Sequence, residues 1–191
     1  MSSRAPQLEE LYALLLDARK GCVQADEDVR KVVSEALESG NPELEALGAL
    51  LAGELGIVEA AERLKKLAEL ENVVELRDPS TGEVQAASLR VIAQEALAKL
   101  RARKVEAELL KLAVEEPTHV VRAVITGAGV SAEELASKLK ELKGVEVIHV
   151  FRLVNVVSIE AEASKILEVA DLKEVASVRR AGVVRALGEV E

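Results

Sequence analysis

The sequence predicts an α+β protein with two domains, an all-helical domain at residues 1–116 and a smaller mixed domain at residues 117–191. Three observations lead to this prediction. Apolar residues in the first part recur at intervals of three and four, which is the helical period. After Pro117 the period shortens to two, and β-branched residues become frequent. Pro117 also stops the preceding helix, because proline lacks an N–H and clashes with the previous turn.

The composition is that of a folded, acidic protein. Hydrophobic residues make up 49% of the 191 residues, charged residues make up 31%, and the formal net charge is −9. Neither half has the basic surface that neutralises phosphates, so we expect no nucleic-acid partner. Tyr12 and Phe151 are the only aromatic residues, so the core is expected to consist of Leu, Val, Ile and Ala. The abundance of Glu, Lys and Arg beside scarce Cys, Met, Asn and Gln is typical of a thermophile.

No segment is typical of export or of membrane insertion. No apolar run approaches the ~20 residues of a transmembrane helix, and Asp17 interrupts the apolar stretch near the N-terminus, which also lacks a small-residue cleavage site. We therefore expect a cytoplasmic protein with no membrane partner. Cys22 has no second cysteine to pair with, and we interpret it as an ordinary small residue, with a reactive thiol as the alternative.

The first part predicts helices with recognisable ends. The first helix runs from Leu8 to about Arg19. Asp26 is the expected N-cap of the second helix. Asn41 caps the third, and Pro42 stands at the first helical position, where its missing N–H costs nothing.

An apolar pattern then repeats after about 45 residues. The segment Leu44–Leu55 (LEALGALLAGEL) aligns with Leu89–Leu100 (LRVIAQEALAKL), and the helices that follow, VEAAERLKKLAEL and VEAELLKLAVEE, also match. A two-helix unit of about 40–47 residues has the size of a HEAT or armadillo repeat, and the stretch NPELEALGALLAGELG is similar to HEAT-like repeats. The alternative is a helical bundle with accidental periodicity. Gly48 and Gly53 predict close helix approach, because glycine otherwise weakens a helix.

The segment Asp78–Gly82 (DPSTG), between the two repeats, is a turn by composition. It predicts either a short hairpin or an exposed loop.

The second domain predicts alternating strands and helices. A strand at His119–Gly127 is followed by a helix at Ala132–Leu142, which Ser131 and Glu134 open as a capping box. The stretch VEVIHVFRL is the second strand, the turn lies at Val154-Asn155, and VVSIEAEA is the third strand. A helix from about Ser164 and the final strand VASVRRAGVVRAL complete the order β-α-β-β-α-β.

This order predicts a ferredoxin-like, four-stranded antiparallel sheet with both helices on one face and the other face open. Glu160 and Glu162 alternate with Ile159 and Ala161, which predicts that the two glutamates point to the solvated face.

No pattern indicates catalysis. His119, His149 and Cys22 have no metal-ligand spacing, and no serine lies in a G-x-S-x-G elbow. The stretch GAGVSAEEL lacks the third glycine of a dinucleotide site, so we interpret it as a turn, with an anion site at Gly127 and Gly129 as the alternative. We predict a protein that is not an enzyme and has no cofactor and no metal.

The stretch Phe151–Ile159 (FRLVNVVSI) resembles the central hairpin of subtilisin propeptides, which are peptidase-inhibitor domains. The following ILEVADLKEVASVRRAGVVRAL is similar to the end of these domains, and the resemblance spans about Val120 to Leu187. Val156-Val157 stands where the family usually has a small residue and an aromatic, and Arg179-Arg180 where an acidic residue is common.

The resemblance implies a non-enzymatic protein–protein interaction protein, a stand-alone inhibitor or folding chaperone of a subtilisin-like serine protease. In that family the open sheet face packs on two surface helices of the protease, and an acidic side chain can cap their N-termini, so Glu160 and Glu162 are the expected contacts. The tail lies in the active-site cleft by strand addition. Here the tail residues would be Val184, Arg185, Ala186, Leu187, Gly188, Glu189, Val190 and Glu191.

The alternative hypothesis is a regulatory or scaffold protein. Its ferredoxin-like domain would bind a small ligand or mediate self-association into a homo-oligomer.

Overall fold

The computed structural model describes residues 7–78 and 81–181. The described part holds eight α-helices and six strands, in two compact units that divide between Arg103 and Lys104. A two-stranded antiparallel sheet lies in the first unit and a four-stranded antiparallel sheet in the second. The prediction of a protein that mixes helices and antiparallel strands is therefore confirmed.

The first unit is mainly helical. Its elements are α1 (Leu8–Arg19), α2 (Glu27–Leu37), α3 (Pro42–Leu55), a 3₁₀ turn (Val58–Ala60), α4 (Ala61–Leu67), β1 (Val73–Arg77), β2 (Val84–Ser88) and α5 (Leu89–Lys104), which ends at the division.

The predicted helix starts are present. The Asp26 side chain accepts a hydrogen bond from the Val29 N–H at 2.9 Å, and Asn41 accepts from the amides of Glu43 and Leu44. Each cap satisfies amides that have no partner inside the helix. Gly56 ends α3 in the left-handed conformation, with φ at 72°.

The core of the first unit is aliphatic, as expected. Its buried members are Leu, Ile, Val and Ala, and Tyr12 only borders them. Gly48 lies against α2, where an added Cβ would stand 3.1 Å from the Leu37 nitrogen, and Gly53 lies against α5, where it would stand 3.0 Å from the Ala96 Cα. These distances confirm the predicted close helix approach, which a side chain at either glycine would obstruct.

Among the described residues of this unit, one carboxylate is buried. Glu45 is 4% exposed and accepts a hydrogen bond from the Arg63 guanidinium at 2.6 Å. Arg63 also donates through Nε to the Leu37 carbonyl oxygen at 2.8 Å. The ion pair compensates the desolvation of Glu45, and the second bond holds α4 to the end of α2.

The strands between α4 and α5 form a hairpin, which was one of the two predicted alternatives. β1 and β2 pair from Val73 with Ser88 to Arg77 with Val84. The Tyr12 hydroxyl joins this hairpin to α1, because it accepts from the Arg77 N–H at 2.8 Å and donates to the Glu43 carboxylate at 3.3 Å.

The second unit begins earlier than the predicted boundary at Pro117. The helix α6 (Ala107–Glu115) was predicted to belong to the helical domain, but it buries Leu109 and Ala113 in the core of the second unit and packs on the last helix of that unit. Just before α6, Val105 forms a parallel bridge with Val178. The burial of these residues places α6 in the second unit. Its contacts are with residues distant in sequence, so the residues around α6 give no sign of them.

The second unit has the predicted order of elements after α6. They are β3 (Val120–Gly127), α7 (Ala132–Glu141), β4 (Val145–Phe151), a 3₁₀ turn (Arg152–Val154), β5 (Val156–Glu162), α8 (Ala163–Asp171) and β6 (Val175–Arg180). The strands lie side by side in the order β4-β5-β3-β6, and every neighbouring pair is antiparallel.

Both helices α7 and α8 pack against this sheet. They bury an apolar stripe in the core, in which Leu135, Leu139, Ile166 and Val169 are fully covered. Lys104 supports α8 from the start of the unit, because its ammonium donates to the carbonyl oxygens of Ala170 and Leu172 at 2.9 and 2.8 Å. A cation at this end of a helix is favourable.

We predict that Gly48→Ala and Gly53→Ala each lower the free energy of unfolding by about 1–3 kcal/mol, because the added methyl meets backbone atoms of the neighbouring helix. Helix propensity alone would change stability in the opposite direction by up to about 1 kcal/mol. Chemical denaturation measures the effect. Gln94→Ala at an exposed position of α5 is the control, and stabilisation by either glycine substitution would contradict the close packing.

We predict that Tyr12→Phe is less stable than wild type at neutral pH, and that this difference in the free energy of unfolding decreases at alkaline pH. Burial, the main cause, and the nearby Glu43 carboxylate raise the pKa of Tyr12 above its usual 10.0, although the Arg77 N–H opposes them. The folded state therefore holds this proton more tightly than the unfolded chain. The contribution of the protonated Tyr12 hydroxyl to the free energy of unfolding is complete below pH about 10. It is lost as the pH rises through the pKa of Tyr12 in the folded state.

Because Tyr12 is the only tyrosine and the chain has no tryptophan, ultraviolet absorbance of tyrosinate follows this one group directly. A folded-state titration at or below the usual tyrosine pKa would contradict the prediction.

Candidate functional site

The register of β3 and β5 decides which side chains leave the core. Val121, Ala123 and Ile125 are buried on β3, as are Val157 and Ile159 on β5. The residues between them point to the opposite side. We call this side the open face, and its outward residues are Val120, Arg122, Val124 and Thr126 on β3, Glu146, His149 and Phe151 on β4, Val156, Ser158, Glu160 and Glu162 on β5, and Ser177 and Arg179 on β6.

An ion pair joins the two middle strands on the open face. Arg122 and Glu160 stand opposite each other on the two central strands, and the Arg122 Nε donates to the Glu160 carboxylate at 2.7 Å. The Arg122 side chain is 67% exposed and the Glu160 side chain 32%. Such a pair contributes little to stability in water, about 0.2–1 kcal/mol, and both groups remain accessible from solvent.

Three carboxylates gather at one end of the open face. Glu146 stands opposite Glu160, and both line a groove of about 310 Å³ together with Glu162. The predicted outward orientation of Glu160 and Glu162 is confirmed. Glu146 was missed, because only the pairing of β4 with β5 brings it to this groove.

The charges of the open face are separated. The carboxylates belong to β4 and β5, whereas the two arginines, Arg122 and Arg179, belong to β3 and β6. Arg179 stands opposite Val124, one outward position further along the sheet than Arg122. One half of the face is therefore acidic and the other half basic.

The end of the β4–β5 hairpin exposes apolar side chains. We call residues Phe151–Val154 the hairpin tip. Phe151 is 47% exposed, Val154 is 66% exposed and Leu153 is completely exposed. The Phe151 ring also contacts His149 edge to face, with 5.9 Å between ring centroids. The predicted strand through Leu153 is shorter in the structure, because Arg152–Val154 forms a 3₁₀ turn.

Asn155 holds the hairpin tip in place. It is the only non-glycine residue with positive φ in the described ranges, at 51°. Its side-chain amide donates to the Val130 carbonyl oxygen at 2.7 Å, which joins the tip to the loop after β3. Asparagine suits this position because it tolerates the left-handed conformation and supplies a donor.

The loop after β3 behaves as the predicted turn. The Gly127 and Ala128 amides donate to the carbonyl oxygens of Asn155 and Glu174, so these two donors are already satisfied within the chain. The Ser131 amide and hydroxyl both bond to the Glu134 carboxylate, which completes the predicted capping box and lowers the pKa of Glu134 below its usual value.

The other candidate residues do not converge on a site. His119 lies near Glu116 on the surface, His149 lies on the open face, and Cys22 is exposed in the first unit. Across residues 7–78 and 81–181, no three His, Cys, Asp or Glu residues are grouped so that they could hold a metal ion. The tail residues Val184–Glu191 lie outside the described residues.

In the described part of the chain, no helix has both the length and the apolar character that a membrane span needs.

We predict that Asn155→Ala lowers the free energy of unfolding by about 2–3 kcal/mol, because alanine loses the bond to Val130 and has no polar side chain to offset the cost of the left-handed conformation. Asn155→Gly should lose only about 1 kcal/mol, because glycine accepts this conformation. Equilibrium denaturation of both variants measures the difference. Equal losses would show that the backbone conformation carries no cost.

Comparisons with known proteins found no related protein. No protein-family model, no curated protein and no solved structure matches this chain. The resemblances to subtilisin propeptides and to HEAT-like repeats therefore stay predictions.

Proposed function

We propose that this chain is a non-enzymatic protein-interaction protein whose second unit binds another protein through the open face and the hairpin tip. One observation carries the proposal. The chain has a single phenylalanine, and Phe151 lies exposed beside Leu153 and Val154 instead of in a core. Exposed apolar and aromatic clusters of this kind are typical of protein-binding surfaces.

We further propose a ferredoxin-like arrangement for the second unit. The order β-α-β-β-α-β and the strand order β4-β5-β3-β6, with α7 and α8 packed on the sheet, support it. For the first unit we propose a HEAT-like arrangement, supported by the repeated apolar spacing of α3 and α5 and by the close approach of Gly53 to Ala96.

A subtilisin-like serine protease is the partner that we propose. The resemblance of the β4–β5 hairpin to subtilisin propeptides points to this class. The groove formed by Glu146, Glu160 and Glu162 supports it, because carboxylates interact favourably with the partly positive N-termini of helices. The tail Val184–Glu191 would then occupy the protease cleft as an added strand, and the protein would act as an inhibitor or folding chaperone.

We expect the purified full chain to inhibit a subtilisin-type protease with a nanomolar inhibition constant, as is usual for protease–inhibitor pairs. Hydrolysis of a chromogenic peptide measures it. Deleting Val184–Glu191 should abolish inhibition, and Phe151→Ala should weaken it roughly 30-fold, as expected for an aromatic contact worth about 2 kcal/mol.

Val114→Ala is the matched control. Val114 is 79% exposed on α6, away from the open face, so its loss should leave the inhibition constant unchanged. Absence of inhibition of every subtilisin-type protease tried would refute the inhibitor function. An equal effect of Phe151→Ala and Val114→Ala would refute the role of the hairpin tip.

A further inference from the structure

We propose that the open face, when no other protein occupies it, binds the open face of a second copy of this chain. The two copies would be related by a two-fold axis that runs along the strands, midway between β3 and β5. This inference rests on the proposed function, because both use the same surface, and it names one partner for that surface.

The position of the Arg122–Glu160 ion pair leads to this axis. β5 and β3 are the two middle strands of the sheet, and Arg122 and Glu160 are register partners across the gap between them. A two-fold rotation about an axis above that gap places β5 of the second copy over β3 of the first. Glu160 of the second copy then faces Arg122 of the first. By symmetry, Glu160 of the first copy faces Arg122 of the second at the same position along the strands.

The charges on either side follow the same symmetry. The acidic half on β4 and β5 of each copy would cover the basic half on β3 and β6 of the other. Glu146 of the second copy would lie over the β6 strand, which carries Arg179. A face that is acidic on one side and basic on the other is complementary to itself under a two-fold rotation, as a symmetric dimer interface requires.

The shape of the face also permits the contact. Beyond the ion pair, the exposed residues Val120 and Glu162 lie at one end of the two middle strands. Between the ion pair and the hairpin tip, the outward residues of these strands are Val124, Thr126, Val156 and Ser158, all of them small and only partly exposed. Without large side chains at these positions, two sheets can approach to the usual face-to-face spacing of about 10 Å.

Pairing through the sheet edges is less favourable. The β4 edge has an irregularity between Val147 and His149, and such bulges disfavour the addition of another strand. At the β6 edge, Val105 bridges Val178, and the Arg180 amide donates to the Glu106 carboxylate at 2.8 Å. Of the surfaces of the sheet, the open face is therefore the one that remains for a second copy.

Substitutions that reverse single charges in the 191-residue chain test this inference. We expect wild type to sediment at twice the chain mass of 20.4 kDa at micromolar concentration. Arg122→Glu and Glu160→Arg should each raise the dimer dissociation constant at least about tenfold, because each sets like charges against each other twice. The double variant Arg122→Glu/Glu160→Arg should dimerise again. Lys140→Glu, an exposed exchange on α7, is the matched control and should dimerise like wild type.

Mixing the two single variants separates contacts between copies from contacts within one copy. In the mixture, the carboxylate introduced at position 122 of one variant faces the guanidinium introduced at position 160 of the other. The unchanged Glu160 and Arg122 meet at the symmetric contact, so heterodimers should form although each variant alone stays monomeric. The pair within each chain remains broken in both variants, so a purely structural role cannot produce this rescue. Circular dichroism verifies that every variant is folded.

Three results would overturn the inference. They are a monomeric wild type at all concentrations, single variants that dimerise like wild type, and a mixture that fails to dimerise. Protease inhibition is scored separately. A monomer that inhibits the protease leaves the proposed function intact and removes the dimer, whereas a charge-dependent dimer without inhibition does the reverse.

Discussion

The pairing of β3 with β5 is the constraint on which the second unit depends. Its register runs from Val120 opposite Glu162 to Thr126 opposite Val156, and it places Ala123, Ile125 and Ile159 in the core together. A slip of β5 by one residue would turn its buried residues Val157, Ile159 and Ala161 to solvent, at a cost of about 1.5–3 kcal/mol for each large one. The same register sets Arg122 opposite Glu160. One strand pairing therefore determines both which side chains are buried and which charges meet on the open face.

The scarcity of aromatic residues shapes the first unit in a different way. Aliphatic side chains fill less space than aromatic ones, so the helices must approach each other closely to leave no void. Gly48 and Gly53 permit this approach, and the buried Glu45 is tolerated because Arg63 reaches it. The single phenylalanine belongs to neither core and lies exposed at the hairpin tip.

Most of the local structure could be predicted from the sequence, because its signals act over three or four residues. Asp26, Asn41 and the Ser131–Glu134 capping box all begin helices where predicted, and the alternation around Glu160 correctly identified the outward side of β5. The β1–β2 hairpin was one of two alternatives that composition left open. A turn at Val154-Asn155 was predicted and is present, but its start at Arg152 was not predicted, because Arg152 and Leu153 have ordinary strand composition.

The sequence by itself determined the order of helices and strands, the aliphatic nature of both cores and the outward direction of Glu160 and Glu162. These follow from periodicity, capping and composition, which depend on neighbours along the chain. Only the tertiary structure decided that α6 belongs with the sheet, that Glu146 joins the acidic groove and that Arg122 faces Glu160. These depend on register and on contacts between residues distant in sequence, where many alternative pairings satisfy the same local pattern and only the packed core selects one.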